Sequence, residues 1–303
     1  MKKTKNLLIV FILLYIILQI ILNNSLVYKT VFFSYNIFIH TIVPNIFPFL
    51  IISHFLINYG FVDICYKIFN PIMNKMFKIN GNASFIFIMS MLTGFPSNSK
   101  YTKELLTKNQ ISSITGTKVL MFTHFSNPLF VIGTISSFIN LKVAIVILFS
   151  HYIGNIIIGI MYRNTYLDNT KYLIKKIKSD SFGLCLSKSI KSSIDTLLLI
   201  FGTMTTFLIL SSLINNTLNL NSYSNAILSG ILEFTQGLKY VSMLDINYKF
   251  KAILMGLFIS FGGISVHTQI LSIIGDTDIL YKPFLISRII HSIITGLLIY
   301  FLL

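Results

Sequence analysis

The chain has 303 residues, of which 54% are hydrophobic and only 11% charged, at a mean hydropathy of +0.78. Soluble domains carry roughly 25% charged residues, so this composition excludes a soluble enzyme and leaves a polytopic helical membrane protein. The net charge of +15 is no nucleic-acid footprint, because the lysines lie between apolar spans, as the positive-inside rule places them.

In chain order, Lys2, Lys3 and Lys5 precede the apolar run Leu7–Leu22, which no small-residue cleavage site follows. This predicts a retained first helix with a cytoplasmic N-terminus. Val31–Phe61 exceeds the ~20 residues of one span and holds Pro44 and Pro48, so a kinked or split helix is expected. Tyr66–Ile79 mixes Ile, Phe and Met with Lys67, Lys75 and Lys78, the pattern of an interfacial amphipathic segment. Cys65 and Cys185 have no metal or redox spacing and read as packing residues.

Next comes the stretch around which the chain is organised. The apolar run Ser84–Leu92 leads into T-G-F-P-S-N-S-K-Y at Thr93–Tyr101. Gly94 and Pro96 break a regular helix, so a re-entrant hairpin is predicted over about Ser84–Leu106. Broken backbone at membrane depth survives only where protein buries it or a wet cavity receives it, and there it commonly forms a substrate site. Thr117–Ile139 is a span broken at Phe125–Pro128, with Ser126 and Asn127 at the break. Leu141–Tyr162 is a plainer span, and Arg163–Asp180 is a basic linker.

The second half repeats the order. Lys188–Leu213 is a long helix. Leu232–Tyr240, L-E-F-T-Q-G-L-K-Y, lies in a second hairpin over about Ser224–Leu244. A spacing of 139 residues lays Ser90, Phe95, Lys100 and Tyr101 on Ser229, Phe234, Lys239 and Tyr240. Ala252–Ile274 is broken at S-F-G-G-I-S, and a spacing of 136 lays Ser126-Asn127 on Gly262-Gly263. Tyr281–Leu303 closes the chain, with Lys142 and His151 meeting Lys282 and His291 at a spacing of 140. The domain reading is therefore 1–30, an N-terminal transmembrane helix; 31–163, a first repeat; 164–180, a cytoplasmic basic linker; and 181–303, a second repeat. With re-entrant hairpins, 18 of the 24 Lys and Arg fall inside; Lys29, Lys142, Lys239, Lys249 and Lys251 fall outside, and Arg288 lies within the last span. The repeats are then inverted, the architecture of secondary transporters.

These residues carry a resemblance. G-F-P-S-N-S-K, L-E-F-T-Q-G and S-F-G-G-I-S, in this order, resemble the nucleoside-recognition (Gate) family, and within it a branch of sporulation integral membrane proteins, from about Asn36 to the C-terminus. The resemblance implies an all-α plan with inverted repeats, re-entrant hairpins and broken helices, similar to concentrative nucleoside transporters. It also implies movement of dipicolinate out of the mother cell across the outer forespore membrane. The chain departs from the family pattern at Asn98, where glycine is common.

The residues suit a small dianion. Lys100 and Lys239 follow the two breaks as a charge pair. Gly94, Pro96, Gly237, Gly262 and Gly263 shape the breaks. Ser97, Asn98, Ser99, Ser126, Asn127, Thr235, Gln236 and Ser265 offer neutral hydrogen bonds. Glu233, a carboxylate at a break, is a candidate to bind a coupling proton or sodium ion, cap a half-helix or pair with a lysine. Lysines this near loops also snorkel to headgroups. His124, His151, His267 and His291 have no metal spacing and read as packing or interface residues. No nucleophile, base and orienting group come together, so neither enzyme nor cofactor is expected. Membrane lipid is the expected surroundings, and a homo-oligomer is left open. A nucleoside-type permease and a non-transporting spore-maturation component are the alternatives to a dipicolinate transporter or channel.

Overall fold

The computed structural model describes residues 2–168 and 179–303. Most of the linker expected at 164–180, including Lys171, Lys175, Lys176 and Lys178, lies outside them. Among the described residues every regular element is helical, and five segments are long and apolar enough to cross a membrane: Asn24–Asn58, Leu141–Met161, Phe182–Leu218, Tyr248–Ile274 and Tyr281–Leu302.

The first half comprises α1 (Lys2–Leu22), α2 (Asn24–Ile37), a π-helical turn (Phe38–Ile42), α3 (Val43–Asn58), α4 (Phe61–Phe77), α5 (Ala83–Thr93), α6 (Ser97–Thr107), α7 (Ser113–Phe122), α8 (Pro128–Phe138) and α9 (Leu141–Met161). The second comprises α10 (Phe182–Leu218), α11 (Ser222–Leu232), α12 (Phe234–Met243), α13 (Tyr248–Phe261), α14 (Gly263–Ile274) and α15 (Tyr281–Leu302). Each half thus runs through a long helix, a helical hairpin, an interrupted span and a plain span. The halves differ in that α1 and α4 have no counterparts in the second.

At the N-terminus α1 is a helix of its own that ends at Leu22; α2 starts at Asn24, so a boundary at residue 30 falls inside α2. Asn24–Thr30 holds no glycine or proline to stop a helix. Thr30 and Ser34 anchor α2 on α10 instead, through Ser212 at 3.2 Å and Thr205 at 2.6 Å. The kink expected from Pro44 and Pro48 takes the form of the π turn. In a regular helix the Pro44 ring would collide with the His40 carbonyl, and a wider turn relieves this.

Antiparallel packing fixes the topology. Along α2–α3, α10 runs in reverse, with Phe38 on Phe201 (centroids 4.8 Å apart) and the Asp180 N–H donating to Asn58 at the far end. Against α9, α15 runs in reverse, joining Asn155 to Arg288; against α13 it joins Ser260 to Thr295. At one face Asn216 meets Asn23 and Lys251 reaches the Ser242 carbonyl. At the other, Lys103 pairs with Asp276 and Arg163 donates to the Lys75 carbonyl. The α5–α6 hairpin opens on the second face and α11–α12 on the first, so their tips point toward each other. Between helices already in lipid, close packing and hydrogen bonds hold such contacts rather than hydrophobic transfer. Cys65 and Cys185 are both buried and unpaired.

Candidate functional site

Four interruptions meet at the centre: Gly94–Pro96 between α5 and α6, Thr123–Asn127 between α7 and α8, Glu233 between α11 and α12, and Gly262 between α13 and α14. Each frees helix-end N–H and C=O groups that need partners. In the first half, the Phe95 N–H donates to the Phe125 carbonyl at 2.8 Å. The Asn127 amide nitrogen donates to the carbonyls of Asn45 (3.2 Å), Leu92 (3.2 Å) and Thr93 (3.4 Å), while its oxygen accepts from the N–H groups of Leu129 and Phe130 at 2.9 and 3.1 Å. One side chain therefore closes α5 and caps α8. In the second half, Glu233 Oε1 accepts from the Thr235 N–H at 3.0 Å and its hydroxyl at 2.9 Å, and Oε2 accepts from the Ser265 hydroxyl. This carboxylate caps α12 and ties it to the first turn of α14.

Glycine stands opposite each pin. Gly94 (φ +79°) lies so close that a Cβ would sit 2.5 Å from the Asn127 backbone nitrogen and 3.0 Å from its Cβ. Gly263 (φ +71°) would place one 3.1 Å from the Phe234 nitrogen. Residues that the repeat equates also touch each other. Phe95 meets Phe234 edge to face at 5.4 Å, and the rings of His151 and His291 lie 4.8 Å apart.

The breaks enclose a cavity of about 60 Å³, room for a few waters. Phe95, Pro96, Ser126, Asn127 and Phe130 line it from the first half, and Glu233, Phe234, Thr235, Val266 and Gln269 from the second. Thr41, Ile42, Asn45 and Ile46, beside the π turn, and Ile200 and Met204 of α10 complete the wall. A second space of about 360 Å³ shares Thr41, Phe130 and Thr235 with it and carries Lys239 and Thr134.

Of the residues singled out in the sequence, Pro96, Ser126, Asn127, Glu233 and Thr235 face the cavity, and Ser265 reaches it through Glu233. Gly94, Gly262 and Gly263 form the breaks behind it. Ser97, Asn98 and Ser99 are buried in the first turn of α6. Asn98 is therefore helical, and no left-handed residue is needed where the family pattern has glycine. Gln236 donates to the Tyr240 hydroxyl, and Gly237 packs on Gly230. The lysines do not form a pair in the cavity. Lys100 donates to the Ser192 carbonyl of α10 at 2.9 Å, and Lys239 sits over the Phe33 ring at 4.3 Å, in the adjoining space. Both stems are long enough to follow the helix away from the break.

Sequence reasoning missed a buried polar chain behind the wall. Arg288 is fully buried. Its Nη1 donates to Asn155 Oδ1 at 3.0 Å and to His291 Nδ1 at 2.9 Å, and its Nη2 donates to the Met121 carbonyl. Accepting at Nδ1, His291 carries its proton on Nε2 and donates to the His151 carbonyl at 2.9 Å. His151 Nε2 accepts from the Ser126 N–H at 2.9 Å, so its Nδ1–H donates to Ser260, which donates to Thr295. The two histidines are thus network members with fixed tautomers, not packing alone. The available signal was a lone arginine amid the apolar run Tyr281–Leu303.

Interrupted helices closing on a buried cavity in so apolar a chain define a helical integral membrane protein. Residues 39–142, from the π turn to the start of α9, match the family model described as Nucleoside recognition (Gate). The chain is 27% identical to the sporulation integral membrane protein YlbJ of Bacillus subtilis (strain 168), over 97% of its own length and 81% of that protein's. No solved structure matches it.

Proposed function

We propose that this chain is a non-enzymatic membrane transporter or channel that moves dipicolinate, a small aromatic dianion, out of the mother cell across the outer forespore membrane during sporulation. The observation that carries the reading is the convergence of four helix breaks on one cavity that adjoins a lysine-bearing space on one face. Phe95, Phe130 and Phe234 offer ring faces to a pyridine. Thr41, Asn45, Thr235 and Gln269 offer hydrogen bonds. Glu233, the one carboxylate in the wall, is already engaged with Thr235 and Ser265. Phe95 and Phe234 meet edge to face in the cavity wall, and in this reading their contact parts to let the ligand pass. The resemblance to a sporulation membrane protein supports the setting.

In a deletion strain, dipicolinate is expected to accumulate in the mother cell and be depleted in spores. Normal spore content would overturn the reading. The second reading, a nucleoside-type permease, is favoured by the description of the matched family and by the neutral amides of Asn45 and Gln269. Uptake of uridine, but not dipicolinate, by proteoliposomes would establish it instead.

The halves form inverted repeats in this reading, and the lysine-rich face with Lys75, Lys103 and Lys108 is cytoplasmic. In a background lacking Cys65 and Cys185, Lys142→Cys should react with an impermeant thiol reagent from outside and Gln110→Cys should not. The opposite pattern reverses the orientation.

A further inference from the structure

Arg288 is a guanidinium at membrane depth with only neutral acceptors. No carboxylate among the described residues pairs with it, and its Nε has no partner. Burying a charge without a counter-charge is costly, and such residues in membrane spans mark pathways for ions or charged ligands. Two short routes join it to the cavity wall. One runs through His291 and His151 to the Ser126 N–H. The other runs through Asn155, whose amide nitrogen donates to the His124 carbonyl at 3.0 Å, and on to Phe95, on which the His124 ring stacks at 4.3 Å and 8°. Both nitrogens of the fully buried His124 ring are without partners.

We propose that Arg288 is the fixed positive charge that selects a carboxylate-bearing ligand in the cavity, acting through this network rather than by contact. It is a positioning and specificity residue, and it takes the part that the sequence assigned to Lys100 and Lys239. The inference rests on the anion reading of the site. A charge held in a dry interior is little screened by salt and acts more strongly across a low dielectric than a surface lysine does. The histidines beside it supply no counter-charge, and Glu233, the carboxylate in the cavity wall, is held by Thr235 and Ser265 and makes no contact with it.

The test is binding to the purified full-length protein in detergent, using dipicolinate and its neutral diamide as probes. Asn155→Asp sets a carboxylate on the guanidinium and cancels the field while keeping the arginine. It should weaken dipicolinate at least tenfold and leave the diamide within about twofold, so that the loss follows ligand charge. Arg288→Gln should show the same selective loss, and Arg288→Lys should restore most of the preference for the dianion. Equal losses for both probes, or wild-type dipicolinate affinity in Asn155→Asp, would make Arg288 a structural residue and overturn the inference alone. Failure of the wild-type protein to bind dipicolinate at all overturns the anion reading and this inference with it.

Discussion

Gly237→Ala is expected to cost about 3 kcal/mol of stability, the upper part of the range for forcing extra atoms into a closed contact. The added Cβ would lie 2.2 Å from the Gly230 Cα, a backbone atom that no rotamer change can move. Across the same contact, Gly230 lies under the Phe258 ring, so α11, α12 and α13 must all shift. Valine at the site should prevent folding. Thermal unfolding in detergent checks this, with Gly202→Ala as the reference. Gly202 lies within α10 with nothing within 4 Å of a new Cβ, so alanine there should gain up to ~1 kcal/mol from helix propensity alone. Equal stability of Gly237→Ala and wild type would mean that the two helices are not in backbone contact.

Glu233→Ala is expected to cost about 2–4 kcal/mol. It strips the cap from α12, worth roughly 0.5–2 kcal/mol, and leaves the Thr235 N–H and hydroxyl and the Ser265 hydroxyl buried without their acceptor, at roughly 1–3 kcal/mol for an unsatisfied group. Glu233→Gln keeps an oxygen for Thr235 and lets Ser265 accept rather than donate, so stability should stay within about 1 kcal/mol of wild type. If the carboxylate couples transport to a proton or sodium ion, Gln nonetheless abolishes most transport. Gln that transports normally across pH and sodium concentration, beside a failed Ala, would reduce Glu233 to a cap.

The interruptions were legible because they rest on local chemistry. Gly94-Phe95-Pro96, Ser126-Asn127-Pro128 and Gly262-Gly263 each disfavour an uninterrupted helix through their own backbone chemistry. Glu233 stood out as an acid in an apolar run. What was not legible depends on partners far along the chain. Thr41, Met204 and Gln269 become wall residues only once α10 lies against α2–α3 and α14. Arg288 gains its meaning from Asn155 and His291. The apolar stretch up to Leu22 does form its own helix, but nothing in Asn24–Thr30 marked it as already the start of the next one. The lysines misled for a related reason. A repeat places their Cα atoms equivalently, but a flexible stem delivers the ammonium to whichever carbonyl or ring is nearest.

The hairpin-to-span contact in each half pairs one polar side chain with one glycine, but the assignment is exchanged. Asn127 on the span faces Gly94 on the hairpin, whereas Glu233 on the hairpin faces Gly263 on the span. Copying either half's hairpin onto the other would therefore bring two glycines together and leave the carbonyls open, or drive two polar side chains into space sized for one. Each hairpin is matched to its own span like a key to one lock. A drift toward identical halves is closed to this chain, and a chimera that swaps hairpins must swap the partner spans with them.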